Sequence, residues 1–166
     1  MFLNKFRKFT SGTPKRIVSG GQTGVDRAAL DAALEAGLSC GGLAPKGRRA
    51  EDGIIPERYP LEECDSADYA VRTELNVVRS DATLILNRGR LSSGTWLTKE
   101  YCVRHKKPFI VVQIDQLSTG AAAAEVNRFL AEARPNVLNI AGPRESKSPG
   151  IYDLSFEILR LVLKAG

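Results

Sequence analysis

The stretch Arg16-Ile17-Val18-Ser19-Gly20-Gly21-Gln22-Thr23-Gly24-Val25-Asp26-Arg27 decides the fold class. Ile17 and Val18 begin an apolar run that glycines interrupt, and from Val25 apolar residues recur at helical spacing until Gly37 stops them. A strand, a glycine turn and a helix over about 25–36 therefore follow one another, which is the start of a βα unit. The same alternation returns downstream. Strands are expected at 39–43, 82–86, 109–114 and 137–140, with helices over 68–79, from the 90–95 loop to His105, over 121–133 and over 152–163. Strands alternating with helices require a parallel sheet, and the right-handed crossover rule leaves few windings for five of them. The expected fold is a single-domain α/β three-layer sandwich with a mostly parallel five-stranded sheet in the order 2-1-3-4-5. Ligands of such sheets bind at the carboxyl ends of the strands, where the winding reverses. In this order the reversal falls between the first and third strands, at the loops 20–26 and 88–95.

Phe109-Ile110-Val111-Val112-Gln113-Ile114 is almost continuously apolar and β-branched, so it is expected to be a central strand covered on both faces. After the second strand no hydrophobic period returns until about Ala67, and a loop of that length is a lid, a binding segment or a linker. Residues 1–14 read as a flexible basic arm, because Ser11-Gly12-Thr13-Pro14 is turn chemistry, and 15–166 as the ligand-binding domain.

At 166 residues, 43% of them hydrophobic, the chain has enough apolar surface for one full core. Lys5, Arg7 and Lys8 break the apolar cluster of Met1, Phe2, Leu3, Phe6 and Phe9 before it reaches the length of a secretory segment. Elsewhere nothing approaches the roughly 20 uncharged residues that span a bilayer. Cys40, Cys64 and Cys102 share no ligand spacing, which excludes a disulfide framework and a structural zinc site and points to a reducing cytoplasm. The net charge of +5 favours anionic ligands, but Tyr59, Tyr69, Trp96 and Tyr101 are scattered and no dense basic stripe is present. The expected partner is a small anion, with no nucleic acid and no membrane.

Gly20-Gly21-Gln22-Thr23-Gly24 follows a strand and opens a helix, the context in which bare backbone N–H groups and the positive helix end hold a phosphate. Thr23 adds a hydroxyl, and Asp26 and Arg27 fall in the first helical turn. A tight strand-to-helix turn with no ligand is the other reading. Ser92-Ser93-Gly94-Thr95 is built alike, so the two loops together could hold the two ends of one phosphorylated ligand. On the helix before the third strand, Tyr69, Arg72, Thr73, Asn76 and Ser80 form one polar stripe and Val71, Leu75 and Val78 an opposite apolar one. That helix is expected to bury the apolar stripe and offer the polar one to a ligand, with a capped surface helix as the equal alternative. In the long loop, Lys46, Gly47 and Arg48 combine cations with a flexible point, and Glu51 and Asp52 add carboxylates. His105, the only histidine, is placed for a helix-end role, and no catalytic triad or metal motif is present.

Ser19-Gly20-Gly21-Gln22-Thr23-Gly24-Val25-Asp26-Arg27, Pro45-Lys46-Gly47-Arg48, Glu51-Asp52-Gly53, Ala141-Gly142-Pro143-Arg144 and Pro149-Gly150-Ile151-Tyr152 occur in this order. With Tyr69, Arg72-Thr73, Asn76-Val77 and Ser80-Asp81-Ala82-Thr83 between them, the chain resembles the molybdenum carrier (molybdenum cofactor carrier protein) family from about Lys15 to its end. The resemblance implies a Rossmann-like fold related to the lysine-decarboxylase-like nucleotide-binding proteins. It further implies a carrier or storage role for molybdenum cofactor or a similar phosphorylated pterin or nucleotide, with the metal held by the dithiolene of the pterin and not by the protein. It also implies a homo-oligomer, a dimer or tetramer, and a molybdoenzyme or cofactor-biosynthesis partner. The ligand-binding set is then Gly20, Gly21, Gln22, Thr23, Gly24, Asp26, Arg27, Lys46, Gly47, Arg48, Asp52, Tyr69, Arg72, Thr73, Asn76, Ser92, Ser93, Gly94, Thr95 and Thr98. Related phosphoribohydrolases carry GGxGTxxE. Here Ser92 and Ser93 precede Gly94-Thr95 and Thr98 stands in place of the glutamate, so the chain reads as a binding protein, with nucleoside monophosphate hydrolysis through Glu100 as the alternative.

Overall fold

Ile17 and Val18 lie fully or almost fully buried in β1 (Arg16–Val18), and the helix after the glycine turn is α1 (Val25–Glu35). The computed structural model describes residues 12–164. After α1 come β2 (Ser39–Gly41), four two-residue strands, β3 (Leu43–Ala44), β4 (Arg49–Ala50), β5 (Gly53–Ile54) and β6 (Glu62–Glu63), then α2 (Tyr69–Val78) and β7 (Ala82–Asn87). The chain continues through α3 (Ser93–Arg104), β8 (Phe109–Gln113), α4 (Thr119–Ala133) and β9 (Val137–Ala141) to α5 (Ile151–Leu163). Of the arm expected over 1–14, residues 1–11 lie outside the described residues. No helix among the described residues is long and apolar enough to cross a membrane.

The central sheet is parallel throughout and runs β2-β1-β9-β7-β8. Counted as the five strands the sequence predicts, this order is 2-1-5-3-4 and corrects the expected 2-1-3-4-5. The last strand does not close the edge. It slots between the first and third, pairing Ile17 with Leu138 on one side and Leu84 with Ile140 on the other. If the strands are numbered from β9 through β1, β2, β7 and β8, the order becomes 3-2-1-4-5, that of a doubly wound nucleotide-binding sheet. The fold is thus Rossmann-like, with its strands joined in circularly permuted order.

Right-handed crossovers then sort the helices. α1 and α4 lead leftward across the sheet and share one face with α5, against which both pack, whereas α2 and α3 lead rightward and pack on each other. The run at 109–113 is an edge strand, not a central one: Phe109, Ile110 and Val111 are half-buried and only Val112 is fully enclosed. Side chains report what covers the faces of a sheet, and an edge is a matter of backbone hydrogen bonds, so apolarity alone could not tell the two apart.

Helix α2 departs from expectation at its carboxyl-terminal half and in its apolar stripe. Val71 and Val78 are each 39% exposed, while Asn76 and Ser80 are 4% and 1% exposed. Their polar groups are satisfied inside: Asn76 accepts from the Leu43 N–H at 2.8 Å and donates to the Leu43 carbonyl at 3.0 Å, and Ser80 donates to the Asn76 carbonyl. Asn76 therefore pins α2 to β3.

The long segment after β2 is tied down at several points. Arg48 donates to the carbonyls of Ile55, Pro56, Tyr59 and Leu61, and Tyr59 donates to Asp31 of α1 at 3.1 Å. Tyr152 of α5 donates to the same Asp31 oxygen at 2.6 Å. Burial, followed by the Asp31 charge, pushes the Tyr59 phenol up to about 12, so it remains a donor across the physiological range.

Asn76→Ala is expected to leave the Leu43 N–H and carbonyl without partners and to lower the unfolding free energy by about 2–4 kcal/mol. Urea denaturation measures it, and a loss within about 0.5 kcal/mol, the range of surface substitutions, would show that Asn76 is not the strut.

Candidate functional site

Strands β9 and β7 are neighbours whose chains leave the sheet in opposite directions, so their carboxyl ends bound a crevice. A cleft of about 210 Å³ occupies it. The cleft is lined from β7's side by Ser92, Ser93, Gly94, Thr95 and Thr98, and from β9's side by Ala141, Gly142, Arg144 and Lys147. Gln22 and Asp26 of the glycine loop and Tyr69, Arg72 and Thr73 of α2 complete it.

The helices α1, α3 and α5 follow the loops that contribute lining residues, and the states of their N-termini differ. At α3 the N–H groups of Ser93, Gly94 and Thr95 have no acceptor among the described residues, and the N-cap residue Ser92 makes no capping bond to them. Ser92 and Thr95 instead share a hydroxyl contact at 3.0 Å, and Thr98 donates to the Gly94 carbonyl. An uncapped helix start leaves N–H groups that an anion can accept from. At α1 the loop largely satisfies itself: Gln22 N–H donates to Asp26 at 3.2 Å, Thr23 N–H to Gln22 Oε1 at 3.0 Å, and Val25 N–H to the Pro143 carbonyl at 3.3 Å. At α5 both oxygens of Glu145 are taken, one by Gly150 N–H and the other by Tyr152 N–H at 3.0 Å.

Asp26 is 4% exposed and faces the Arg72 guanidinium at 3.4 Å. Burial pushes its carboxyl up, and the Arg72 charge and the hydrogen bond from Gln22 N–H offset this only in part. Gly20 is what lets Arg72 reach: a Cβ there would lie 1.7 Å from Nη1. Gly24 also has a steric reason: φ is +79° and a Cβ would meet the Pro143 carbonyl oxygen at 2.4 Å. Arg72 and Arg144 both stack on Tyr69, with guanidinium carbons 5.8 and 5.6 Å from the ring centroid. The Gln22 amide is fixed by two donors to its oxygen, Thr23 N–H and Glu51 N–H, which leaves its buried Nε2 without a partner.

Glu51 knots three segments. It accepts from the Thr23 hydroxyl and from the Ser146 N–H and hydroxyl, with Arg144 at 3.9 Å. Burial works against its charge, but these hydrogen bonds outweigh it and hold the carboxyl below the usual range.

Half of the expected set is thus brought together: Gln22, Asp26, Tyr69, Arg72, Thr73, Ser92, Ser93, Gly94, Thr95 and Thr98 line the cleft. The rest sit elsewhere. Gly20, Gly21 and Gly24 are packed against neighbours, and the Thr23 hydroxyl is bonded to Glu51. Arg27 pairs with Asp52, Gly47 N–H donates to Glu63, Arg48 gathers loop carbonyls, Lys46 is exposed with its N–H on Ser66, and Asn76 holds β3. Glu100 is not a lining residue. Sequence reasoning missed Gly142, Arg144 and Lys147 as site residues, although Gly142-Pro143-Arg144 after a strand carries the same glycine-turn signal as the other two loops.

Fold and cleft define a Rossmann-like α/β protein of circularly permuted strand order with a polar crevice at the carboxyl ends of β9 and β7. The chain belongs to the circularly permutated YpsA SLOG family, whose model matches residues 17–163. It is similar to a crystal structure described as "Putative molybdenum carrier protein from Syntrophus aciditrophicus SB", at 44% identity over 93% of this chain and 98% of that one, with a TM-score of 0.90. No curated protein matches this chain.

Arg72 is a buried ion-pair partner as well as a lining residue, so its removal alters stability, contrary to what a solvent-facing polar stripe would give. Arg72→Ala is expected to cost about 3–5 kcal/mol near neutral pH, because it strands Asp26 as a buried charge. A carboxyl whose folded pKa is raised destabilises the fold only when ionised, and that cost appears as pH rises from the ordinary carboxylate range through the folded value. The difference between variant and parent should therefore shrink on acidification, and Asp26→Asn in the same chain should recover most of it. Unfolding midpoints at neutral and mildly acidic pH measure both, and a pH-independent difference would dismiss Asp26 as the cause.

Proposed function

We propose that this protein binds and carries a phosphorylated small molecule in the β9/β7 cleft, and that the ligand is molybdenum cofactor or a closely similar phosphorylated pterin. The observation that carries the reading is the open start of α3, three free N–H groups facing a cleft that Arg72, Arg144 and Lys147 also line. Backbone donors at a helix start supply fixed positive potential, and the cations add charge-assisted bonds. The printed description of the 44% identical structure names a molybdenum carrier, which supports the pterin ligand. Tyr69, already in contact with two guanidinium groups, offers an aromatic surface for a ring system that extends from the anion. Hydrolysis of a nucleotide lacks this kind of support, since Glu100 lies outside the cleft and Asp26 is engaged by Arg72.

Assembly into a homo-oligomer belongs to the same proposal. Val71 and Val78 on α2, and Trp96 and Val103 on α3, are exposed apolar residues spaced two turns apart on adjacent helices. Sedimentation should then show a dimer or tetramer that Trp96→Glu shifts toward smaller species, and an unshifted parent-size particle would remove these helices from the interface.

Titration with released cofactor, read by fluorescence with metal analysis of the recovered complex, is expected to show stoichiometric binding at micromolar concentration. Lys147→Ala and Arg144→Ala should each weaken it about tenfold to a hundredfold, the loss of one charge-assisted bond. Absence of binding at that concentration would count against the reading as a whole.

A further inference from the structure

Buried polar side-chain atoms are almost always hydrogen-bonded, so one that is not needs a reason. Among the described residues, two of the cleft's lining side chains carry such an atom, Gln22 Nε2 and Arg72 Nε, and both atoms are donors. Gln22 is 7% exposed, and its other polar atoms are spent. Its N–H donates to Asp26, its carbonyl accepts from Arg27 N–H, and Oε1 accepts from the N–H groups of Thr23 and Glu51 at 3.0 and 2.9 Å. Two backbone donors on one oxygen fix the amide, since a flip would set N–H against N–H. Nε2 is therefore locked as a donor. The Arg72 guanidinium lies against the bare backbone of Gly20 and makes one hydrogen bond among the described residues, to Asp26 at 3.4 Å, long for a charge-assisted contact.

We propose that Gln22 Nε2 and Arg72 Nε form a donor-only wall of the cleft, which the ligand meets with unprotonated oxygens of its anionic group. This rests on the phosphate-binding reading above and deepens it: the cleft selects a group that accepts hydrogen bonds and has none to donate. The charges of the lining residues agree. Arg72, Arg144 and Lys147 stand against one carboxylate, Asp26, which already accepts from Gln22 N–H and Arg72. An acceptor placed there is favoured as an oxyanion over a neutral carbonyl. A buried donor without an acceptor costs free energy, and an oxygen bonded to it recovers that cost, so the contact adds more affinity than a surface amide would. The free N–H groups at the α3 start line the same cleft. Its volume, about 210 Å³, falls below the roughly 300–1,000 Å³ of pockets that enclose a drug-sized molecule, so one tetrahedral anion can draw donors from both sides.

Sulfate and phosphate tell a donor-only wall from a mixed one, because at neutral pH sulfate carries no proton whereas inorganic phosphate keeps at least one. The full chain is titrated calorimetrically with both anions and with released molybdopterin, in the parent, Gln22→Glu and Gln22→Met. The parent is expected to bind sulfate at least as tightly as phosphate. Gln22→Glu keeps an oxygen for the Thr23 and Glu51 N–H groups and puts a second oxygen where the donor stood. It should weaken sulfate about tenfold to a hundredfold, the loss of one hydrogen bond to a charged group. Phosphate should lose less, since its remaining proton can be donated to the new carboxylate. Gln22→Met removes the donor without adding charge and should weaken both anions about tenfold, which retains the test if the glutamate variant does not fold. Equal losses for the two anions in Gln22→Glu would trace to charge at a distance and overturn the contact. Phosphate bound without sulfate in the parent, molybdopterin bound without either free anion, or unchanged affinities in both variants also overturn the donor-only wall and leave the phosphorylated ligand standing. Failure of all three compounds to bind the parent overturns both.

Discussion

The hydrogen bonds of β9 hold the two halves of this sheet together. To one side it pairs with β1 and to the other with β7, and without it β2-β1 and β7-β8 would be separate strand pairs. Side chains fix its position. The Asp81 carboxylate accepts from the N–H groups of Asn136 and Val137 at the strand's start, Asn139 donates to the Thr83 hydroxyl at 3.3 Å, and Ser19 donates to the Ile140 carbonyl at 2.6 Å. Because β9 lies between strands that lead away in opposite directions, the crevice opens at its carboxyl end. The cleft thus follows from where the last strand inserts.

Electrostatics then distinguish the helix starts around the crevice. Every helix start is a region of positive potential, and three helices follow the loops around the crevice. The protein fills two with its own groups: Asp26 and the Gln22 amide at α1, Glu145 at α5. Those internal acceptors hold the loops in place, and Glu51 ties the glycine loop to the β9–α5 loop through Thr23 and Ser146. Stability and binding draw on the same kind of interaction, a backbone N–H meeting an oxygen anion. The start of α3 is where that interaction is left incomplete.

Much of this was legible in the residues. Gly20-Gly21-Gln22-Thr23-Gly24 does open a helix after a strand, and Ser92-Ser93-Gly94-Thr95 does line the cleft. The same pattern, however, describes a loop that binds a ligand and a loop that binds itself. In the first, Gln22 and Asp26 are near enough along the chain to consume its own donors. In the second no carboxylate takes that place. Arg48 shows the limit from another side: an arginine between glycine and acidic residues reads as a phosphate fork, yet it satisfies four carbonyls of a segment that has few ladder partners. Helix α2 was read correctly at Tyr69, Arg72 and Thr73, which line the cleft, but its polar stripe does not face the cleft along its whole length and its apolar stripe is not its buried face. Asn76 and Ser80 are buried against backbone groups they satisfy, which periodicity alone does not reveal.

The sequence by itself determined the alternation of strands and helices, the parallel sheet that alternation requires, and the glycine turns at which helices begin, because these depend on residues within a few positions of one another. Only the tertiary structure decided the strand order, the edge position of Phe109–Gln113, the inward face of α2 and the open helix start at the cleft. Each of these is settled by backbone hydrogen bonds or by buried polar pairs between segments far apart in the chain. Ser19 with Ile140 and Asp26 with Arg72 are such pairs, and no local pattern of side chains encodes them.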